Sequence, residues 1–144
     1  MSKHYANAEW EGNLLKGKGK YILRTSGYEG KLKFTSRFED DKSASSPEEL
    51  IGAALAGCYS MALANALDKA GNSPEKVETL AQVTLDKRAE GFSISEILLT
   101  TRVKVSGMGK EKFLEIAEQT KKGCPVSRAL TGTDIKLEAE LAAS

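Results

Sequence analysis

Two cysteines are the residues of this chain with the clearest capacity for chemistry. Cys58 lies in the apolar stretch IGAALAGCYSM, residues 51–61, and Cys124 lies in GCPVS, residues 123–127. The sequence has no CxxC motif and a single histidine, His4, so Cys and His cannot supply four zinc ligands. We therefore expect no metal and no cofactor, and expect arginine, lysine or a helix terminus to stabilise any reactive thiolate.

The residues alone leave open which thiol reacts. A free cysteine in an apolar segment, such as Cys58, is more often than not a packing residue. Cys124 precedes Pro125 at the start of a short helical turn, with Lys121 and Lys122 just upstream. Positive surroundings of this kind lower the pKa of a thiol. Local context by itself therefore favours Cys124 as the reactive thiol.

Composition predicts one soluble globular domain over residues 1–144. Hydrophobic residues make up 40% of the chain, and 21 basic residues oppose 20 acidic ones. There is no charge excess to drive binding to nucleic acid or an anionic membrane, and no apolar run approaches the roughly 20 residues that cross a bilayer. The N-terminal segment MSKHYANAEWEG lacks the apolar core of a signal peptide. We expect a cytoplasmic protein with a small partner molecule.

The first forty residues have the pattern of β-structure. In KLKFTSRF, residues 31–38, apolar Leu32, Phe34 and Phe38 alternate with polar residues, which predicts a half-buried strand with Arg37 on its polar face. The stretch GKGK, residues 17–20, lacks the spacing of a phosphate loop and is predicted to be a turn.

A long helix is predicted to follow. Ser46 is its N-cap, Pro47 its first residue and Glu49 completes a capping box, and Gly71 is the stop signal about 24 residues on. Small side chains lie all round it between residues 52 and 66, so no polar stripe can face water. We expect this helix to be buried on most sides, packed against a second copy in a dimer.

The C-terminal half is predicted to be mixed. Residues 77–86 and 93–105 have the pattern of a long hairpin that turns at Gly91. A helix over residues 110–122, with Gly123 as its stop signal, leads to Cys124, a helical turn and a last strand whose apolar residues run from Ile135 to Leu141. The fold class is α+β.

Four motifs together resemble one protein family. They are SPEELIGAALAGCYSMAL around Cys58, SRFE around Arg37, TLDK at residues 84–87 and GCPVS around Cys124. With the opening AEWEG and GKGK, the chain resembles the OsmC branch of the OsmC/Ohr thiol peroxidases over most of its length. The resemblance implies an antiparallel β-sheet wrapped around two long central helices in an intertwined homodimer, and an enzyme that reduces organic hydroperoxides in oxidative stress defence.

The resemblance also implies the roles of four residues. Cys58 is implied to be the peroxidatic thiol and Cys124 the resolving thiol, joined by a disulfide during turnover. Arg37 is implied to hold the thiolate, and Glu48 to orient Arg37. A dithiol, specifically a dihydrolipoyl group, is the implied reductant. The apolar side chains of Ile51, Leu55 and Met61 are expected to favour alkyl hydroperoxides over hydrogen peroxide.

Helix geometry constrains how these residues can meet. Ten residues of straight helix place Glu48 roughly 15 Å from Cys58 and about 80° around the axis. Either the helix breaks near Gly52, or Arg37 bridges the gap, or Glu48 acts on the cysteine of the partner subunit. We predict the last arrangement, a site shared across the dimer interface.

Two other functions are compatible with the residues. One is a non-enzymatic dimeric protein that binds a small apolar ligand and keeps both thiols for packing. The other is a general dithiol oxidoreductase, which would exchange with protein disulfides without preferring peroxides. Unreactive thiols at neutral pH would favour the first of these.

Overall fold

The computed structural model describes residues 1–142, and the chain divides into two compact units, Met1–Leu50 and Ile51–Ser144. Each unit is described by itself. Both contain helix and strand, which confirms the α+β class. The single domain expected from chain length stays a prediction.

The first unit contains a three-stranded antiparallel sheet. Its strands are β1 (Ala6–Glu11), β2 (Lys18–Leu23) and β3 (Tyr28–Leu32), in the order β1-β2-β3. The prediction of a turn over residues 17–20 is wrong for its last three residues, which belong to β2. Gly19 pairs with Trp10 of β1, and a Cβ atom on Gly19 would lie 2.6 Å from the indole ring. Here a glycine makes room for a cross-strand tryptophan.

The predicted strand over residues 31–38 is wrong in its second half. Strand β3 ends at Leu32, and residues Phe34–Phe38 form the short helix α1. The Phe34 and Phe38 rings, one helical turn apart, have centroids 4.8 Å from each other, and the Ser36 hydroxyl accepts a hydrogen bond from the Lys33 amide. Two aromatic residues four positions apart fit the alternation of a strand, and they also lie one turn apart on a helix. Over only five residues the two patterns cannot be distinguished. Arg37 therefore projects from a helix and not from a strand.

Helix α2 (Pro47–Lys69) begins in the first unit and continues into the second. The Ser46 hydroxyl accepts a hydrogen bond from the Glu49 amide at 3.1 Å, which confirms the predicted N-cap. Gly71, with φ 92°, follows the helix as predicted. The helix is unbroken through Gly52, so the alternative of a break at that position is wrong.

The second unit contains a mixed sheet. Strands β4 (Lys76–Arg88) and β5 (Gly91–Lys104) form the predicted antiparallel hairpin, and β6 (Asp134–Leu141) pairs with β5 in parallel. The fully antiparallel sheet implied by the family resemblance is therefore wrong for β6. Helices α3 (Lys110–Gly123) and α4 (Pro125–Ala129) lie between β5 and β6 in the chain, and a crossover of this length allows parallel pairing.

One face of α2 provides the core of the second unit. Four side chains at intervals of four residues have no solvent exposure: Leu55, Tyr59, Leu63 and Leu67. They cluster with buried residues of β5 and α3, which include Ile97, Leu99, Val103, Phe113 and Ala117. The opposite face, by contrast, is exposed in the single chain, at Ala53, Gly57, Met61 and Asn65. The expected burial of α2 on most sides includes packing against a second copy, so it stays a prediction.

Helix α2 also has the length and composition of a bilayer-spanning segment. Its most apolar 18-residue window has a mean hydropathy of 1.6. The expectation that no segment approaches this length is therefore wrong for α2. The core helix of a soluble protein passes the same test, and one face of α2 packs in such a core.

Candidate active site

The two cysteines meet in the second unit. Cys58 lies on α2, Cys124 lies at the junction of α3 and α4, and the two thiols are close enough that each shifts the pKa of the other. Both are free thiols. The Tyr59 hydroxyl, next to Cys58, donates a 3.0 Å hydrogen bond to the Ala117 carbonyl and ties α2 to α3. The fold thus brings together two thiols that are distant in sequence.

The pKa values of the two thiols move in opposite directions. Burial raises the pKa of Cys58, and its hydrogen bond to Cys124 raises it further. Burial also acts to raise the pKa of Cys124, but the nearby Cys58 thiol and the polar groups of Ser127 and Val126 outweigh burial and lower it. Within one chain the pKa values therefore favour Cys124 as the thiolate, the direction that its local sequence predicts, but the main causes are Cys58, Ser127 and Val126 and not Lys121 and Lys122.

Solvent access favours the other thiol. Cys58 is partly exposed, whereas Cys124 has no solvent exposure. A molecule in solvent must touch a sulfur to react with it, so Cys58 is the thiol that such a molecule can reach. Access and thiolate stability therefore point to different cysteines.

Arg37 and Glu48 form an ion pair in the first unit. Arg37 Nε lies 2.9 Å and Nη2 lies 2.8 Å from the same carboxylate oxygen, Glu48 Oε1. Glu48 is 7% exposed, and the Arg37 side chain is 38% exposed. The second oxygen, Oε2, is buried and has no hydrogen-bond partner within residues 1–142. The predicted partnership of Arg37 with Glu48 is present in the structure.

Asp41 fixes the segment that carries Arg37. Its carboxylate accepts hydrogen bonds from the Thr35 hydroxyl at 2.5 Å and the Ser43 amide at 2.8 Å, and hydrogen bonds from Ser43 and Thr35 hold the pKa of Asp41 well below its usual range. The Ser36 hydroxyl donates to the Ser45 carbonyl at 2.7 Å. These bonds join α1 to the loop that leads into α2.

Comparison with known proteins identifies the family. The family model described as OsmC-like protein matches residues 39–140. This chain belongs to the OsmC-like family. It is 43% identical over 136 residues to the Peroxiredoxin OsmC of Escherichia coli strain K12, which covers 93% of both proteins, and equally similar to the Shigella flexneri protein of the same name.

Solved structures share the fold of this OsmC-like chain. An OsmC-like protein from Vibrio cholerae has a TM-score of 0.78 at 18% identity, covering 96% of this chain and 99% of that one. The organic hydroperoxide resistance protein OhrB of Bacillus subtilis has a TM-score of 0.74 at 23% identity, covering 94% and 98%. At these identities the likeness establishes the OsmC/Ohr fold.

Three residues of this OsmC-like protein that lie beside the predicted site residues were missed from the sequence. Thr35 and Asp41 support α1, and Ser127 lies against Cys124. The segment EDDKSASS, which contains Asp41, has only the composition of a polar linker. For Ser127 the one indication in the sequence is its position three residues after Cys124 in a predicted helical turn, which places the two residues on the same side of that turn. Among residues 1–142, no group of three or more His, Cys, Asp or Glu side chains could hold a metal ion.

Proposed function

We propose that this chain is a thiol peroxidase that reduces organic hydroperoxides in the cytoplasm, as part of oxidative stress defence. Its 43% identity to a peroxiredoxin over 93% of its length supports the reaction class. The observation that carries the proposal is the pairing of an accessible thiol, Cys58, with a buried thiol, Cys124. Such a pair can form a sulfenic acid and then capture it as a disulfide.

The proposed cycle has two oxidative steps. The Cys58 thiolate attacks the outer peroxide oxygen, the O–O bond breaks, and the alkoxide leaves and takes up a proton to give the alcohol. Cys124 then attacks the Cys58 sulfenic sulfur, and the disulfide forms with loss of water. The lowered pKa of Cys124 helps the second step, because the thiolate is the attacking form. A dithiol, proposed to be a dihydrolipoyl group, restores both thiols.

Arg37 is proposed to supply the charge that Cys58 lacks in the single chain. Burial and Cys124 raise the pKa of Cys58, so its thiolate needs a cation nearby. A guanidinium would both stabilise this thiolate and offset the negative charge on the departing oxygen. Glu48 restricts the guanidinium through the two short contacts to Oε1. A buried carboxylate therefore sets where the arginine can act.

A homodimer is proposed to complete the site. The exposed face of α2 has small side chains at Ala53 and Gly57, which allow close approach of a second helix. Buried oxygens normally have donors, so the unmatched Oε2 of Glu48 is consistent with a donor from a second subunit. The proposed partner is a second copy, with Arg37 and Glu48 acting on its Cys58.

Introducing a charge on this face should separate the subunits. Ala53→Glu places a carboxylate more than one helical turn from Cys58 and is expected to give a monomer that keeps its fold, because Ala53 is exposed in the single chain. Light scattering measures the mass, and peroxide consumption should fall with the dimer. Ala89→Glu, at the exposed tip of the β4–β5 hairpin, is the matched control. An Ala53→Glu protein that stays dimeric would contradict this use of the face.

Met61 is proposed to contact the substrate. It lies three residues after Cys58 on α2 and is 76% exposed, so an apolar side chain flanks the accessible thiol. The expectation that Leu55 also contacts substrate is wrong, because this side chain is fully buried in the core. Cumene hydroperoxide should therefore react faster than hydrogen peroxide.

Peroxide titration of the wild-type protein tests the proposed function. One equivalent of cumene hydroperoxide should remove both thiols, and intact mass should show an internal disulfide and no retained oxygen. Hydrogen peroxide at the same concentration should act more slowly. Thiols that survive the titration unchanged would support the non-enzymatic binding protein instead, and equal reactivity towards protein disulfides would support a general oxidoreductase.

A further inference from the structure

The hydroxyl of Ser127 is buried beside the sulfur of Cys124 without a formed hydrogen bond. Ser127 is 7% exposed, and within residues 1–142 its Oγ atom has no partner that satisfies hydrogen-bond geometry. Most buried hydroxyl groups are paired, because an unpaired one loses its hydration without compensation. An unpaired buried hydroxyl therefore needs an explanation.

The surroundings of Cys124 supply that explanation. Cys124 is the N-cap of α4 and Ser127 is the third residue of that helix, so the amides of Val126 and Ser127 and the Ser127 hydroxyl lie near the Cys124 sulfur and lower its pKa, although Cys124 accepts no complete capping hydrogen bond. The Cys124 backbone is itself fixed, since its amide donates to the Thr120 carbonyl at 3.1 Å and its carbonyl accepts from the Arg128 amide at 3.0 Å. The sulfur thus has a fixed position among hydrogen-bond donors. One of these donors, the Ser127 hydroxyl, has no hydrogen-bond partner within residues 1–142.

We propose that the Ser127 hydroxyl stabilises the Cys124 thiolate released when the Cys58–Cys124 disulfide is reduced, so that the dithiol reductant attacks Cys58. This inference rests on the proposed peroxidase cycle and concerns its reductive half. A thiolate accepts hydrogen bonds more strongly than a thiol does, so the hydroxyl gains its full bond only in that state. The Ser127 hydroxyl, which has no partner when both cysteines are thiols, therefore gains a partner when the Cys58–Cys124 bond breaks.

The sequence of bonds follows from this assignment. A thiolate of the external dithiol attacks Cys58 Sγ, a bond forms between these two sulfurs, and the Cys58–Cys124 bond breaks. The electron pair of that bond stays on Cys124 Sγ, and the Ser127 hydroxyl and the nearby amides of Val126 and Ser127 stabilise the resulting thiolate. The second thiolate of the reductant then closes onto the first reductant sulfur and expels the Cys58 thiolate. The reductant ends as a cyclic disulfide, and both cysteines are reduced.

Access and leaving-group stability agree on this direction of attack. Cys58 is the sulfur that solvent can reach, and Cys124 has no exposure. Exchange is also faster when the departing sulfur has the lower pKa. Attack on Cys124 would instead require a buried target and would expel the less stable thiolate.

Removal of the hydroxyl tests the proposal. In Ser127→Ala, the rate of disulfide reduction by dithiothreitol, relative to the rate of oxidation by cumene hydroperoxide, is expected to fall about tenfold, the loss of one hydrogen bond to a charged sulfur. Ser127→Thr should restore the ratio. In the Cys58→Ser background, ultraviolet thiolate absorbance should show that Ser127→Ala raises the pKa of Cys124. An unchanged rate ratio, or an unchanged pKa, would overturn the role of Ser127.

The direction of attack is measurable in the wild-type protein, so it does not depend on how the variants fold. The oxidised protein is treated briefly with 2-mercaptoethanol, quenched with an alkylating agent and digested. The mixed disulfide is expected on Cys58, with the alkyl group on Cys124. A mixed disulfide on Cys124 would overturn the proposal.

Failure of this inference can be distinguished from failure of the peroxidase cycle. If peroxide does not produce the Cys58–Cys124 disulfide, the proposed function fails, but diamide can still form the same bond chemically. The rate of reduction by dithiothreitol is then compared directly between the wild type and Ser127→Ala, and the mixed-disulfide measurement is unchanged. If peroxide does form the bond and the reduction rate ignores Ser127, only the inference about Ser127 fails.

Discussion

Cys58→Ser is expected to abolish peroxide reduction, whereas Cys124→Ser is expected to be oxidised by peroxide but to lose the disulfide step of the cycle. The first variant lacks the only one of the two sulfurs that solvent can reach, so consumption of cumene hydroperoxide should fall by more than about three orders of magnitude. The second variant keeps the attacking sulfur but lacks the thiol that captures its sulfenic acid. Stopped-flow peroxide consumption measures both.

The oxidation product of the remaining cysteine in each variant shows which of the two cysteines reacts with peroxide. In Cys124→Ser a sulfenic acid should persist on Cys58, detectable by a dimedone adduct and by intact mass. With more peroxide it should proceed to the sulfinic acid, because no thiol intercepts it. The serine variants serve as controls for each other, since each changes one sulfur to oxygen at one end of the same pair.

The opposite outcome has a clear meaning. Its lowered pKa makes Cys124 the better thiolate within one chain, and its local sequence favours the same assignment. If Cys58→Ser forms a sulfenic acid on Cys124 as fast as the wild type reacts, thiolate stability outweighs access and the roles are reversed. If neither variant reacts, both thiols are packing residues.

Local signals were enough to predict the elements that hold the thiols. The N-cap at Ser46, the stop at Gly71 and the turn at Gly91 are short-range patterns, and the structure has each of them where expected. The pairing of Arg37 with Glu48 came from family resemblance and not from such patterns. Taken alone, Arg37 has the pattern of an ordinary surface arginine, and Glu48 has the pattern of an acidic residue in the first turn of a helix.

Longer-range features could not be predicted in the same way. Parallel pairing of β6 with β5 depends on the path of the chain through α3 and α4. The alternation of residues within one strand gives no information about that path. The period-two pattern failed at residues 34–38 because the Phe34–Phe38 contact overrides it. The contact between Cys58 and Cys124 likewise needs the packing of α2 on α3, fixed in part by Tyr59.

Arg37→Met is expected to slow oxidation of Cys58 about a hundredfold to a thousandfold, the effect of removing a preorganised donor to developing negative charge. Arg37→Lys should recover little, because the two contacts to Glu48 Oε1 come from Nε and Nη2, and an ammonium group cannot reproduce that fork. Second-order rate constants with cumene hydroperoxide measure both. Arg102→Met is the control, since Arg102 forms an exposed ion pair with Glu140 on the second sheet.

The pH profile separates an effect on the thiolate from an effect on folding. The thiolate is the reactive form, so the rate is lost as pH falls through the pKa of Cys58. Burial and the Cys124 hydrogen bond raise that pKa, and the proposed role of Arg37 is to oppose them. Arg37→Met should therefore move the midpoint of the profile to higher pH, whereas Arg102→Met should leave it in place. A lower rate with an unchanged midpoint would mean that Arg37 stabilises only the negative charge on the departing oxygen and not the Cys58 thiolate.

The double variant Arg37→Met/Glu48→Gln distinguishes catalysis from stability. Arg37→Met alone leaves a buried carboxylate without its cation and should lower the free energy of unfolding by about 1–3 kcal/mol, discounted for the partial exposure of Arg37. Adding Glu48→Gln removes the unpaired charge and should recover most of that stability, measured by urea denaturation. Peroxidase activity should not recover, because no guanidinium is present. If activity returned together with stability, the pair would be a structural ion pair, and the charge beside Cys58 would have to come from another residue.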